Sequence, residues 1–176
     1  MYKFIPILIF GLTPFWVTAQ EAIPPRPSPT AILSMRFQDS YFKITYSQPH
    51  KRGRLIFGNL VPFGQVWRTG ANEATELLIT HDIHINNQLL KAGVYSVFTI
   101  PEKNKWTIIM NADIGLWGAY NYNPKRDVMR FDVPVQSLDT PYEPFTIKLN
   151  QKNDQAEWEM MWDRTKISIP ISFIHN

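Results

Sequence analysis

The sequence predicts an all-β fold: an antiparallel two-sheet sandwich or flattened barrel of about nine or ten strands, with little helix. Three observations carry this. Apolar residues recur with a period of two through most of the chain. Turn-forming residues separate the apolar runs at short intervals. No stretch places apolar residues at helical spacing long enough for an amphipathic helix.

The chain opens with Met1, Tyr2 and Lys3, then an apolar run from Phe4 to Val17 interrupted by Pro6 and Pro14. A membrane-spanning helix needs about 20 apolar residues, so this run suits a secretory signal better than a span. Val17-Thr18-Ala19 offers a cleavage site with Gln20 as the new N-terminus. The expectation is a signal peptide over 1–19 and an exported chain of 176 − 19 = 157 residues, periplasmic or secreted. No later segment reaches a transmembrane length. Residues 20–30 hold Pro24, Pro25, Pro27 and Pro29 and read as an extended tether. A single domain then fills 31–174.

Strand follows strand from there. Phe42, Ile44 and Tyr46 share one face of a run over Tyr41–Tyr46. Thr75, Leu77 and Ile79 share a face of the next. Ile83-His84-Ile85 enters an Asn86-Asn87 turn and leaves through Leu89-Leu90, a hairpin signal. Lys91-Ala92-Gly93 turns again. Val94 to Ile100 is mostly apolar, which predicts a strand covered on both faces. Pro101 to Asn104 is a polar loop before a strand over Trp106–Met110. The last third alternates most cleanly. Met129, Phe131, Val133 and Val135 share a face, as do Phe145, Ile147 and Leu149. Ala156, Trp158, Met160 and Trp162 do the same, with Glu157 and Glu159 opposite. Ile167, Ile169, Ile171 and Phe173 complete the pattern, with Pro170 on the polar parity, where an edge or a bulge tolerates it.

Composition narrows the function classes. The chain has no cysteine, which removes disulfides, thiolate nucleophiles, thiolate metal sites and a lipoprotein anchor. The formal charge is +3, or +2 without Lys3, and is spread along the chain. The tight basic cluster Lys51, Arg52, Arg54 is too small for a nucleic-acid face and reads as a solvated loop or an anion contact.

Two irregular stretches interrupt the strands. Gln48 to Asn72 contains Pro49, Gly53, Gly58, Pro62, Gly64 and Gly70, with apolar plugs such as Ile56, Phe57 and Trp67. Asp113 to Asp127 contains Gly115, Gly118, Trp117, Tyr120 and Tyr122. Long irregular segments inside a compact domain are usually functional or disordered, and the plugs argue against disorder. The run Val66 to Thr75 is the densest polar cluster beside expected core, with Arg68, Thr69, Asn72 and Glu73. Glu73 shares parity with Thr75, Leu77 and Ile79, which predicts an inward carboxylate paired with Arg68. Such a pair either fixes the loop to the sheet or floors a ligand pocket. Likewise Trp117, Tyr120 and Tyr122 either cap the core or form a stacking platform for a sugar or another flat ligand.

Other motifs are weak. His81 and His84 lie three apart, and on a strand they face opposite sides, which disfavours a metal site. His50 and His175 have no close acidic or serine partner in sequence, and no nucleophile-elbow pattern is present. Gly53 to Gly58 lacks the lysine and hydroxyl of a phosphate-cradling loop. No metal or cofactor is expected.

The chain resembles the DUF2911 family. The likeness is carried by Tyr46-Ser47-Gln48-Pro49, Gly53-Arg54, Ile56-Phe57-Gly58, Leu60-Val61-Pro62 and above all Val66 to Thr75. Ala92-Gly93, Tyr95-Ser96, Phe98 to Pro101, Trp117 to Tyr120, Asp127-Val128 and Arg130 extend it over about residues 27 to 172. Gln48 and His50 depart from an Arg and a Ser usual in that pattern, and His81 and His84 stand where small hydroxyl residues are common. The resemblance implies an exported protein of Bacteroidetes-type bacteria and an architecture, but no activity. From the residues, the leading expectation is a binding module for a small molecule or glycan. Arg68 and Asn72 would make its polar contacts, and Trp117 and Tyr120 would stack. The alternatives are an envelope hydrolase using Glu73 as acid or base, with Asp113, Asp127 or His50 as second group, and a structural or interaction protein of the envelope.

Overall fold

The computed structural model describes residues 23–174, so the expected signal peptide and His175 lie outside the described residues. Ten strands run in chain order: Thr30–Phe37 (β1), Ser40–Ser47 (β2), Thr75–Ile79 (β3), Ile83–Ile85 (β4), Gln88–Leu90 (β5), Gly93–Pro101 (β6), Lys105–Asn111 (β7), Asp127–Pro134 (β8), Gln136–Lys152 (β9) and Gln155–Phe173 (β10). Among the described residues the helical content is one 3₁₀ turn, Pro124–Arg126. Six strands form one sheet in the order β1-β2-β3-β6-β7-β8, and four form the other in the order β5-β4-β10-β9. Every pairing is antiparallel. The fold is a sandwich and not a closed barrel.

The alternation in the sequence is the alternation of burial. Phe42 and Ile44 of β2, Leu77 of β3, Ile108 of β7, Phe145 of β9 and Trp158 and Trp162 of β10 meet in one core between the sheets. β6 is covered on both faces, as its apolar run predicts. Tyr95 and Val97 face the core, while Phe98 on the other side joins Ile109 and Ala74 beneath Leu116, Ala119 and Tyr122. The second irregular stretch is therefore a lid packed on the outside of the large sheet. Among the described residues no helix is long and apolar enough to cross a membrane.

Turn chemistry sets the register. Asn86 and Asn87 both have positive φ, 48° and 60°, which a two-residue hairpin with the right twist requires. The β9–β10 hairpin turns at Asn153, also left-handed at 56°. β9 carries Pro141 and Pro144 and lies at a sheet edge, where a missing N–H breaks no ladder. β10 is central, yet Pro170 falls between its partners: pairing with β9 stops at Lys166 and pairing with β4 starts at Ile171. One expectation fails locally. Glu159, on the outward parity, is buried, and its carboxylate accepts a hydrogen bond from Lys166 Nζ, which lets the acid leave water.

Candidate functional site

The irregular segment between β2 and β3 returns to the sheet at Trp67. Its backbone exchanges two hydrogen bonds with Thr99 of β6, at 2.7 and 2.9 Å. The indole Nε1 donates to Gly70 O at 3.0 Å, closing the turn on itself. Two non-glycine residues here are left-handed, Thr69 and Asn72, each at φ 56°. Such residues persist only when their surroundings over-determine them. Here they do: Thr75 N donates to Arg68 O at 3.1 Å and Thr75 Oγ1 to Thr69 O at 2.7 Å. A Cβ on Gly70 would meet Ser47 O at 2.9 Å, so this position has room only for glycine.

These reversals send neighbouring side chains in different directions. Thr69 is fully buried, its Oγ1 3.2 Å from Thr99 Oγ1, so it holds the turn. Arg68 is half-buried, and its Nε is sealed from solvent without an acceptor. Glu73 pairs not with Arg68 but with Arg26 of the N-terminal segment, at 2.7 and 3.0 Å. The inward parity expected of Glu73 does not apply, because β3 begins only at Thr75. Residues 72–74 instead lie against 116–118: Gly118 N donates to Asn72 O at 2.9 Å and Ala74 N to Leu116 O at 2.8 Å.

That short pairing joins the two irregular stretches. It also brings Arg68 and Tyr120 together. Gly118 is left-handed at φ 67°, and a Cβ there would stand 2.8 Å from the Tyr120 ring and 3.1 Å from Arg68 Nη1. Guanidinium and phenol ring therefore flank one bare glycine. Both face a pocket of about 590 Å³ at one end of the sandwich. Trp67 and Trp162, stacked with centroids 5.9 Å apart at 18°, lie at its floor, and Leu60 and Val61 add apolar wall. Trp106, Phe57 and Phe145 back the two indoles. Trp67 is only 9% exposed whereas Tyr120 is 82% exposed, so the indoles are floor and the phenol is rim.

Of the residues singled out in the sequence, Arg68, Asn72 and Tyr120 line this pocket. Thr69 lies beneath it. Glu73 lies in a separate hollow of about 350 Å³ with Glu76, Ser47 and Gly115. Trp117 bridges to Glu73 and is more than half exposed. Tyr122 packs on Phe98 with centroids 5.0 Å apart, and its hydroxyl donates to Asp127 Oδ2 at 2.6 Å. Burial pushes the Tyr122 phenol up, and the bond to Asp127 adds to it.

Two participants were hidden from sequence reasoning, and a third, Arg54, was legible only as part of a cluster read as a solvated loop or an anion contact. Trp162 sits in a regular core pattern, and nothing local marks it as pocket floor. Arg54 belongs to the basic cluster, where Lys51 is instead tied to Asp163 at 2.7 Å. Ser28 belongs to the expected tether, yet residues 26–29 lie on the domain. Ser28 O accepts from Asn72 Nδ2 at 3.2 Å, Pro29 O from Gln48 N at 2.8 Å and Pro27 O from Arg52 Nη2 at 3.3 Å. The signal for this docking is Arg26 among the prolines, a charge able to find Glu73.

The electrostatics separate two chemistries. The hydrogen bond from Arg26 holds the Glu73 carboxyl below the usual glutamate range, so it is ionised at neutral pH and has no proton to give. Asp113 accepts from Arg126 Nε at 2.9 Å and Asp127 from Arg130 Nε at 2.8 Å, so the acids suggested as its catalytic partners are engaged elsewhere. Among the described residues no group of three or more His, Cys, Asp or Glu is arranged to hold a metal ion. His84 projects to solvent from β4, and His81 Nδ1 lies 3.2 Å from Thr80 Oγ1.

No curated protein and no solved structure matches the chain. The family model described as "Protein of unknown function (DUF2911)" matches residues 28–171, which begin at the strap residue Ser28 and include every pocket residue discussed above, and the chain belongs to that family.

Proposed function

We propose that this protein is a binding module for a small molecule, held in the pocket between the 48–74 segment and the 117–120 turn. The observation that carries the reading is the convergence of Arg68 and Tyr120 on Gly118 above a stacked tryptophan floor. A concave cavity into which polar and aromatic groups converge is a common form of ligand site, and its volume lies within the usual range for one. Tyr120 offers a ring face without being needed by the core. The sequence of residues 1–19 supports export, and such a module would meet its ligand in the periplasm or outside the cell.

The test is a titration of the purified chain, from Gln20 onward, with libraries of small glycans and organic acids, followed by tryptophan fluorescence. Trp67 and Trp162 should report an occupant directly. A hit should weaken by about tenfold in Tyr120→Ala, which removes roughly one ring's contact and leaves the core intact. A library that leaves the emission of the folded protein unchanged throughout would remove this reading.

A further inference from the structure

The charge around the pocket is one-sided. Among the described residues its charged lining is Arg54 and Arg68, with no Asp or Glu. Among the described residues no carboxylate forms a salt bridge with either. The acids of the same region are committed to other groups. Glu73 holds Arg26, Asp163 holds Lys51, and Glu143 accepts from Arg52 N at 2.7 Å. A half-buried guanidinium without an anion is an unfavourable arrangement that a bound anion relieves.

The donors also select among anions. Arg54 already donates Nε to Lys51 O and Nη2 to His50 O, so it supplies charge more than free hydrogen bonds. Two backbone donors beside the pocket are spent, Ala71 N on Ser47 O and Gly118 N on Asn72 O. Among the described residues no lysine lines the cavity. A phosphate site gathers several free N–H groups or a lysine around three oxygens. One guanidinium fork instead matches the two coplanar oxygens of a carboxylate. Tyr120 beside it presents an exposed ring, and Leu60 extends the apolar surface. We infer that the ligand is a ring-bearing carboxylic acid, its carboxylate on Arg68 and its ring against Tyr120. This rests on the pocket being the binding site proposed above.

Aromatic acids and sugar acids share that chemistry, and the experiment separates them. The purified chain is titrated calorimetrically and by tryptophan fluorescence with benzoate and glucuronate, with their neutral counterparts benzamide and glucose, and with inorganic phosphate. At least one acid should bind about tenfold or more tighter than its counterpart and than phosphate. Benzoate as that acid assigns an aromatic ligand, and glucuronate a sugar acid. The preference should vanish in Arg68→Gln with the fold intact by circular dichroism. Should that variant not fold, salt decides in the wild type: affinity for the acid should fall with added salt while affinity for the neutral counterpart holds. A neutral counterpart that binds as tightly as its acid, with the same fluorescence change, would overturn the carboxylate assignment and leave the pocket reading standing. Phosphate binding as tightly as the acids would do the same. No binding by any of the five would overturn both.

Discussion

Two hollows lie on either side of one turn and have opposite chemistry. Among the described residues the larger is lined by Arg54 and Arg68 without an acid, the smaller by Glu73 and Glu76 without a base. Arg68 and Glu73 are five residues apart in sequence, close enough to suggest a pair. They are not one. Left-handed Thr69 and Asn72 turn the chain twice between them, and each side chain ends in a different environment. On the acidic side every charge is answered: Glu73 by Arg26, Glu76 Oε1 by Gly115 N at 2.8 Å. On the basic side no described carboxylate pairs with Arg68, and its Nε has no acceptor. Backbone conformation, not spacing, decided which charges meet.

The largest effect should come from the floor of the basic pocket. Trp67→Ala removes a buried indole touching four other rings and should cost about 3–5 kcal/mol in chemical denaturation. Trp117→Ala, the tryptophan bridging to Glu73 on the acidic side, should change stability by no more than about 0.5 kcal/mol, because the ring is mostly in water. Equal losses would break the contrast between a built pocket and a surface ledge.

Gly118→Ala comes next, at roughly 1–3 kcal/mol, from a side chain forced into the left-handed region. It should also displace Tyr120 and Arg68, so a ligand identified for the wild type should bind poorly even where the variant is folded. Arg68→Met should leave stability unchanged or raise it by up to about 1 kcal/mol, since the change exchanges an unpaired charge for an apolar chain of similar length. A clear loss would mean Arg68 is structural after all.

The smallest effect is expected on the acidic side. Glu73→Gln should cost less than about 1 kcal/mol, because both partners of its ion pair are about half exposed. Its pH dependence has a definite sign. The Glu73 carboxyl is lowered in the folded protein, so its contribution is present above the ordinary glutamate value and is lost as pH falls through the depressed one. The N-terminal strap should then loosen, and the exchange protection factor of the Gln48 amide, which donates to Pro29 O, should be lower in acid than at neutral pH. No acid-induced change at the strap would show that Arg26 and Glu73 do not hold it.

Much of the fold was legible. Period-two patterning placed the strands from β2 onward, though not β1, because inward and outward side chains alternate in any half-buried sheet. Asn86-Asn87 located a hairpin because asparagine tolerates positive φ. The Val66 to Thr75 run and the Trp117 to Tyr120 turn were visible as irregular, polar and aromatic. Parity failed at Glu73 because it presumes a continuous strand, and β3 had not yet begun. It failed at Glu159 because a long side chain on an outward position can still be covered and paired.

By itself the sequence determined an all-β fold, either a sandwich or a flattened barrel, its family, its lack of cysteine chemistry and the two segments that depart from regular strand. Those follow from local pattern and composition, which act along the chain. Only the tertiary structure decided that Trp162 floors a pocket with Trp67, 95 residues away, that Arg26 rather than Arg68 answers Glu73, and that Gly118 draws Arg68 and Tyr120 together. Each of these is a contact between segments whose separation along the chain says nothing of their distance in space. Which of them meet is set by sheet order and by a few left-handed residues that redirect the backbone.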